Sequence, residues 1–163
     1  MMFSQDLRGR AESLLAAARA KGLKIATAES CTGGLISGLL TEIAGSSDVL
    51  DRGFVTYSNQ AKEEMLGVPG AMIRQHGAVS EVVARAMAEG AIRNSTAQLS
   101  VAVTGVAGPG GGTDEKPVGL VHIAAARAGE ATLHRECRFG DIGRSEVRLA
   151  TVVAALELLQ PLV

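Results

Sequence analysis

The stretch Ala26–Gly34 constrains the fold of this chain more than any other part of the sequence. An apolar run from Leu23 to Ala28 leads into it, and an amphipathic run from Leu35 to Ala44 leads out of it. This order predicts a strand, a tight turn and a helix. Ser30 then lies at the junction, where helix N-termini present free backbone N–H groups to anions. Three roles are open to Ser30: helix cap, anion ligand, or nucleophile with those N–H groups as its oxyanion hole.

Helical and strand patterns alternate along the whole chain. Apolar spacing predicts helices at residues 4–21, 33–44, 59–67, 71–75, 80–94 and 144–160. Short β-like runs predict strands at residues 23–28, 50–57, 99–104, 118–127 and 131–139, the last two joined as a hairpin. We therefore expect a single α/β domain over residues 1–163, a three-layer α/β/α sandwich around a mixed sheet of about five strands.

Composition argues against several classes of function. The net charge is −1 without a block of like charge, and only 2% of residues are aromatic, which disfavours a nucleic-acid partner. No window has the long uncharged apolar run of a membrane span, and the first ten residues lack the pattern of a signal peptide. Two isolated cysteines and the absence of an HExxH motif predict a cytoplasmic protein with free thiols and no metal site.

A second informative stretch runs from Tyr57 to Lys62. Tyr57 closes a predicted strand, Asn59 is a plausible N-cap, and Lys62 falls on the first helical turn. A lysine there faces the positive end of the helix dipole. Lys62 is either a solvated surface residue or a base whose pKa is lowered by the dipole and by partial burial.

A glycine-rich loop, Gly105–Thr113, follows the predicted buried strand that ends at Thr104. It lacks the Lys-Ser/Thr pair of a Walker A motif and the third glycine of a GxGxxG fingerprint. It is either a flexible hairpin loop or a loop whose backbone N–H groups approach a ligand phosphate. Five glycines in eight residues favour the second interpretation.

Arg144 and Arg148 stand four residues apart at the start of the last predicted helix. Both are either solvated, or they hold an anion that relieves the repulsion between two like charges on one helix face.

These segments are expected to meet at one edge of the sheet, because ligands of α/β proteins bind beyond the strand ends. Ser30, Tyr57, Thr104 and the glycine-rich loop would then lie close together. The set suggests a serine nucleophile with a lysine base and a tyrosine hydroxyl, acting on an acyl or amide carbon. Cys31 is an alternative nucleophile, since a thiol at a helix N-terminus ionises readily, although no histidine partner is recognisable.

Four ordered motifs, Thr27–Gly34, Tyr57–Asn59 with Lys62, Thr104–Gly111 and Lys116–Gly119, resemble the CinA C-terminal domain family. The resemblance extends from Leu14 to Leu159, and the chain is similar to the stand-alone nicotinamide-nucleotide amidohydrolases of that family. It implies hydrolysis of nicotinamide mononucleotide to nicotinate mononucleotide and ammonia, without metal or organic cofactor. It also implies a homodimer or higher homo-oligomer.

Carried onto this chain, the resemblance implies that Ser30 is the nucleophile, Lys62 the general base and Tyr57 a group that relays or positions the proton. The residues that it implies for substrate binding are Thr104, Gly105, Gly108, Gly110, Gly111 and, on the phosphate, Arg144. To these we add Thr32, Gly33 and Gly34, whose N–H groups are candidates for the oxyanion hole.

One departure from the family pattern concerns the loop before Arg144. The family shows a compact Gly-Asp-Arg, whereas this chain has Gly140-Asp141-Ile142-Gly143-Arg144, two residues longer. A competing hypothesis is a catalytically silent nucleotide-binding domain with a regulatory role linked to competence or damage. The combination of nucleophile, base and hydroxyl favours the enzyme, because a binding domain has no need of it.

Overall fold

A computed structural model describes residues 2–163 of the chain. Its α-helices are α1 (Gln5–Ala20), α2 (Leu35–Thr41), α3 (Asn59–Leu66), α4 (Gly70–His76), α5 (Glu81–Arg93) and α6 (Arg144–Leu159). Its strands are β1 (Ile25–Glu29), β2 (Leu50–Val55), β3 (Leu99–Gly105), β4 (Leu120–Arg127) and β5 (Leu133–Arg138). Short 3-10 helices cover Ser46–Asp48 and Gln160–Leu162.

The five strands form one mixed sheet in the order β2-β1-β3-β4-β5. β1 pairs in parallel with both β2 and β3, so that Ala28 lies between Phe54 and Ala102. β4 runs antiparallel to β3 and to β5, as the predicted hairpin requires. All five residues of β1 are buried, which is typical of a parallel strand covered on both faces.

Helices cover both faces of this sheet. On one face, α1, α2 and α6 bury residues such as Leu14, Leu39 and Leu159 against alternate strand positions that include Val101 and Ile123. On the other face, α5 packs Met87 and its neighbours against the small residues of β1, β3 and β4. The predicted three-layer α/β/α sandwich with a mixed sheet of five strands is thus confirmed.

Hydrogen bonds at the helix ends explain where several elements begin. The side chain of Ser80 accepts the N–H of Val83, so the predicted N-cap of α5 is confirmed. The predicted N-cap at Asn59 is wrong, because the side chain of Ser58 caps α3 by accepting the N–H of Ala61. The extended backbone at Ser58 directs its hydroxyl to that N–H, whereas Asn59 is already the first residue of the helix.

The helix predicted at residues 33–44 is shorter than expected. Gly33 and Gly34 adopt φ values of 58° and 106°, which belong to a left-handed turn, and α2 begins only at Leu35. Ser30 therefore lies in a turn that precedes the helix and does not cap it.

Candidate active site

The parallel strands β1, β2 and β3 end at the same edge of the sheet, beside a cavity of about 290 Å³. The predicted residues that line this cavity are Ser30, Tyr57, Lys62, Thr104, Gly105, Gly108, Gly110, Gly111 and Arg144. A larger cavity of about 580 Å³ lies between α1 and the end of α6, away from all of these residues. The chemical character of its lining residues, rather than its volume, therefore identifies the cavity at the strand ends as the candidate site.

Ser30 is fixed at the end of β1 by its backbone. Its N–H donates to the carbonyl of Val103 on the neighbouring strand β3, at 3.1 Å. Only 9% of the residue is exposed, and its hydroxyl borders the cavity.

Lys62 on α3 is 1% exposed, although lysine is almost never fully buried without a partner. Its Nζ donates to Ser30 Oγ at 3.0 Å and to the carbonyl of Thr56 at 2.8 Å. Within residues 2–163 no carboxylate lies within ion-pair distance of this amine. Burial lowers the pKa of Lys62 below its usual 10.5. A lysine with a lowered pKa and a serine hydroxyl at hydrogen-bond distance form a possible base and nucleophile pair.

Tyr57 lies at the mouth of the cavity and is 62% exposed. Its phenolic oxygen accepts a hydrogen bond from Arg144 Nη2 at 3.0 Å, while Nη1 of the same arginine donates to the carbonyl of Gly108 at 2.7 Å. Tyr57 forms no hydrogen bond to Ser30 or Lys62 among the residues that the structure describes. The longer loop before Arg144 nevertheless brings its guanidinium to the edge of the cavity.

Close packing and backbone conformation explain why some positions of the glycine-rich loop are glycine. A Cβ atom on Gly105 would lie 2.8 Å from the carbonyl oxygen of Leu120, and Gly108 has a φ of 83°. Gly110 is different, because a Cβ atom there would meet nothing within 4 Å. The hydroxyl of Thr104 donates to the carbonyl of Ala78 at 2.9 Å, which ties the end of β3 to the segment before α5.

Thr32, Gly33 and Gly34 do not line the cavity. The N–H of Gly33 donates to the carbonyl of Ser30 at 3.1 Å, and the N–H of Gly34 donates to Glu29 Oε1 at 3.3 Å. The N–H groups of both glycines are thus already bonded to oxygen atoms of the chain, and the oxyanion hole near Thr32, Gly33 and Gly34 stays a prediction.

Glu29 is a buried residue whose contacts the sequence reasoning missed. It is fully buried, and its carboxylate accepts the hydroxyl of Thr32 at 2.7 Å and the N–H groups of Ile36 and Ser37 at 2.9 and 3.0 Å. The anion at the N-terminus of α2 is thus the chain's own carboxylate. The available signal was an acidic residue at the end of an otherwise apolar strand, which has to find hydrogen-bond donors when it is buried.

Arg148 also has a different role from the one predicted. Its Nε donates to the carbonyl of Cys31 and its Nη2 to the carbonyl of Thr32, both at 3.0 Å. The guanidinium groups of Arg144 and Arg148 therefore each donate hydrogen bonds to oxygen atoms of the chain. An anion between them is not needed to relieve their mutual repulsion.

Cys31 borders the cavity but is only 5% exposed. Burial raises the pKa of its thiol to about 11. Because the thiolate is the reactive form, this shift argues against Cys31 as the nucleophile at neutral pH.

The residues that the structure describes contain neither a metal-binding cluster nor a membrane-spanning helix. Among residues 2–163, no three His, Cys, Asp or Glu side chains come together in a way that suits a metal ion. In the same residues, no helix has the length and apolar character needed to cross a membrane.

Comparison with known proteins relates this geometry to a family. The family model described as CinA C-terminal domain matches residues 8–163. A solved structure of the competence/damage inducible protein CihA from Agrobacterium tumefaciens is 56% identical, with a TM-score of 0.97 over 99% of this chain and 98% of that chain.

Two curated relatives differ in length. The nicotinamide-nucleotide amidohydrolase PncC of Escherichia coli (strain K12) is 47% identical over 159 residues, which are 97% of this chain and 95% of that protein. A CinA-like protein of Anaeromyxobacter dehalogenans (strain 2CP-C) is 54% identical over 142 residues, which are 86% of this chain and 34% of that protein. The chain thus spans about a third of the length of such CinA-like relatives, and nearly all of the amidohydrolase.

Proposed function

Because the chain belongs to the CinA C-terminal domain family, we propose that it is an amidohydrolase that converts nicotinamide mononucleotide and water to nicotinate mononucleotide and ammonia. The observation that carries this proposal is the hydrogen bond between the buried amine of Lys62 and the hydroxyl of Ser30 beside the cavity. The relative named nicotinamide-nucleotide amidohydrolase, which matches nearly the whole chain, supports the substrate class.

In the proposed first half-reaction, neutral Lys62 accepts the proton of the Ser30 hydroxyl as Oγ attacks the carboxamide carbon. The C–N bond of the tetrahedral intermediate then breaks, and the Lys62 ammonium donates its proton to the departing nitrogen, which leaves as ammonia. Nicotinate mononucleotide remains as an ester of Ser30. The lowered pKa of Lys62 supports this role, because it increases the fraction of neutral amine available as a base.

In the second half-reaction, a water molecule attacks the ester carbon while Lys62 accepts one of its protons. The C–O bond to Ser30 breaks, and Lys62 returns the proton to Oγ. The carboxylic acid so formed releases its remaining proton to solvent, and the product leaves as a carboxylate. The carbonyl of Thr56 supports both steps, because it holds Nζ at 2.8 Å and keeps the amine directed at Ser30.

We assign substrate binding to the mouth of the cavity. Arg144 would bind the phosphate, since a guanidinium forms strong charge-assisted hydrogen bonds with phosphate oxygens. Tyr57 would position Arg144 through the 3.0 Å hydrogen bond rather than relay a proton. The open backbone at Gly110 would allow the substrate to approach the glycine-rich loop closely.

The test is ammonia release from nicotinamide mononucleotide by the wild type, Ser30→Ala and Lys62→Met. Loss of about a thousandfold or more in kcat/KM by both variants is expected, as for removal of a nucleophile or its base. Ser13→Ala and Lys21→Met, at exposed positions of α1 and its end, serve as matched controls.

Two results would count against the proposal. Nucleotide binding by the wild type without ammonia release would favour the silent binding domain. Full activity of Ser30→Ala would exclude the ester intermediate. In the wild type, hydroxylamine should intercept this ester and give a hydroxamate.

Assembly and location belong to the same proposal. We propose a homodimer or higher homo-oligomer in the cytoplasm, as the family resemblance implies. Sedimentation equilibrium of the purified chain tests the assembly directly, and a monomer at micromolar concentration would refute it.

A further inference from the structure

The turn that carries Ser30 is held by two side chains of opposite charge. On one side, the guanidinium of Arg148 donates to the carbonyls of Cys31 and Thr32, both at 3.0 Å. On the other side, the carboxylate of Glu29 accepts the hydroxyl of Thr32 at 2.7 Å and the N–H of Gly34 at 3.3 Å. The cation thus binds the acceptors of the turn and the anion binds its donors.

Among residues 2–163, neither of these two charges has an oppositely charged partner at ion-pair distance. Glu29 is fully buried and its carboxylate also accepts the N–H groups of Ile36 and Ser37 at the start of α2. Arg148 is half-buried and donates to backbone carbonyls, and the ion pairs of residues 2–163 include neither residue. Arg148 therefore directs its charge at the turn, and Glu29 directs its charge at the turn and the start of α2; charge-assisted hydrogen bonds of this kind are about twice as strong as neutral ones.

The turn transmits this restraint to Ser30. The N–H of Ser30 is bound to Val103 on β3, and its carbonyl accepts the N–H of Gly33 at 3.1 Å. Gly33, at φ 58°, lies against Arg148, whose Nη2 would be 3.6 Å from a Cβ atom there. Loss of Arg148 would release the two carbonyls that follow Ser30 and loosen the turn beside the nucleophile.

We propose that Glu29 and Arg148 are positioning residues that hold the Ser30 hydroxyl in line with the amine of Lys62. This inference rests on the proposed function in so far as it concerns catalysis. Neither side chain forms a hydrogen bond with Ser30 Oγ or with Lys62, so both act through the backbone of the turn. A misplacement of about 1 Å between reacting groups costs on the order of a hundredfold in rate, which sets the expected size of the effect.

The decisive variant is Arg148→Ala, assayed for ammonia release with and without added guanidinium ion at low millimolar concentration. We expect kcat to fall about a hundredfold with little change in KM, and guanidinium to restore a substantial part of kcat. Arg52→Ala is the matched control. Arg52 also donates to a backbone carbonyl, that of Asn94, at 3.1 Å, but it lies on the edge strand β2 away from the cavity. The activity of Arg52→Ala should match that of the wild type and should not respond to guanidinium.

A second measurement does not depend on turnover. Hydrogen exchange read by mass spectrometry should show faster exchange for residues 31–37 in Arg148→Ala, with unchanged protection in β4, and guanidinium should restore the protection. Glu29→Gln, whose amide NH2 group must face the N–H of either Ile36 or Ser37, should accelerate exchange in the same segment and lower kcat.

The two readouts separate the possible failures. If the wild type releases no ammonia but the exchange results hold, the proposed function fails and the restraint on the turn stands. If the wild type is active while Arg148→Ala keeps its kcat and its exchange pattern, the positioning role is overturned. A general loss of protection without rescue by guanidinium would also overturn it, because it would show a purely structural role. If Glu29→Gln fails to fold, the arginine variant still decides the question.

Discussion

The amine of Lys62 lies 3.0 Å from the hydroxyl of Ser30, although 32 residues separate them along the chain. Ser30 follows β1, whereas Lys62 stands on α3, which begins after the neighbouring strand β2. The parallel pairing of β1 with β2 brings the two together, and burial then lowers the pKa of the lysine. The fold thus sets both the distance between Lys62 Nζ and Ser30 Oγ and the pKa of the lysine.

The pH dependence of the reaction should follow Lys62. Because the neutral amine is the proposed base, we expect kcat/KM to rise with pH through a midpoint below 10.5, the ordinary pKa of lysine. A pH–rate profile of ammonia release measures the midpoint. Any activity that remains in Lys62→Arg should not show this rise with pH, because arginine stays charged. A rate that falls over this range would argue against a lysine base.

Burial of Lys62 should also cost stability. The lowered pKa means that the charged form is disfavoured in the folded state, so Lys62→Met should be at least as stable as the wild type at neutral pH. Between the folded pKa and 10.5 the unfolded state binds more protons, so wild-type stability rises with pH and the advantage of the variant shrinks. Urea titrations of both proteins at several pH values test this. A difference in unfolding free energy between Lys62→Met and the wild type that widens with pH would refute this prediction.

Arg144 should discriminate substrates by their phosphate. Removing its charge in Arg144→Gln should raise KM for nicotinamide mononucleotide about tenfold or more, because at least one charge-assisted hydrogen bond is lost. The riboside without the phosphate should react equally with both proteins. Steady-state kinetics on the two substrates measure the difference. An equal loss on both would show that Arg144 acts on the loop and Tyr57 instead.

Two helical glycines should respond oppositely to alanine. A Cβ atom on Gly90 of α5 would lie 2.1 Å from the carbonyl oxygen of Leu66, so Gly90→Ala should cost about 1–3 kcal/mol of unfolding free energy. Gly9 of α1 has nothing within 4 Å, and Gly9→Ala should stabilise by about 0.5–1 kcal/mol. Chemical denaturation of the matched pair gives both values. Similar effects at the two sites would contradict the packing of α5 on α3.

The histidine pair on β4 and β5 should make the fold sensitive to acid. His122 Nδ1 and His134 Nε2 lie 2.9 Å apart, and burial lowers the pKa of both rings. Glu81 and Glu136 oppose this shift, whereas Arg85 and Lys116 add to it. The unfolded state therefore takes up protons first as pH falls from about 7 to 5, and stability is lost through that window.

The double variant His122→Gln/His134→Gln should lose less stability between those pH values than the wild type. Melting temperatures at both pH values measure it, with the exposed His76→Gln as control. An unchanged acid sensitivity in the double variant would assign the loss to other groups.

Local signals were sufficient for much of the fold. Apolar spacing, the serine cap of α5 and the hairpin between β4 and β5 are interactions within a few residues, so the sequence pattern predicts them. The segments that border the cavity were also predictable, because the ends of parallel strands share one edge of a sheet. The errors are equally local: Ser58 rather than Asn59 caps α3, and two left-handed glycines delay α2.

Sequence patterns are sufficient to predict the order of the elements, the fold class and the residue types available at the strand ends. The contacts that those residues make follow from the packing of the folded chain. Glu29 found its donors on α2, Arg148 reached carbonyls more than a hundred residues away, and Tyr57 bound Arg144 rather than Lys62. The physical reason is that burial and the direction of a polar side chain depend on which distant elements pack around it. No local periodicity carries that information.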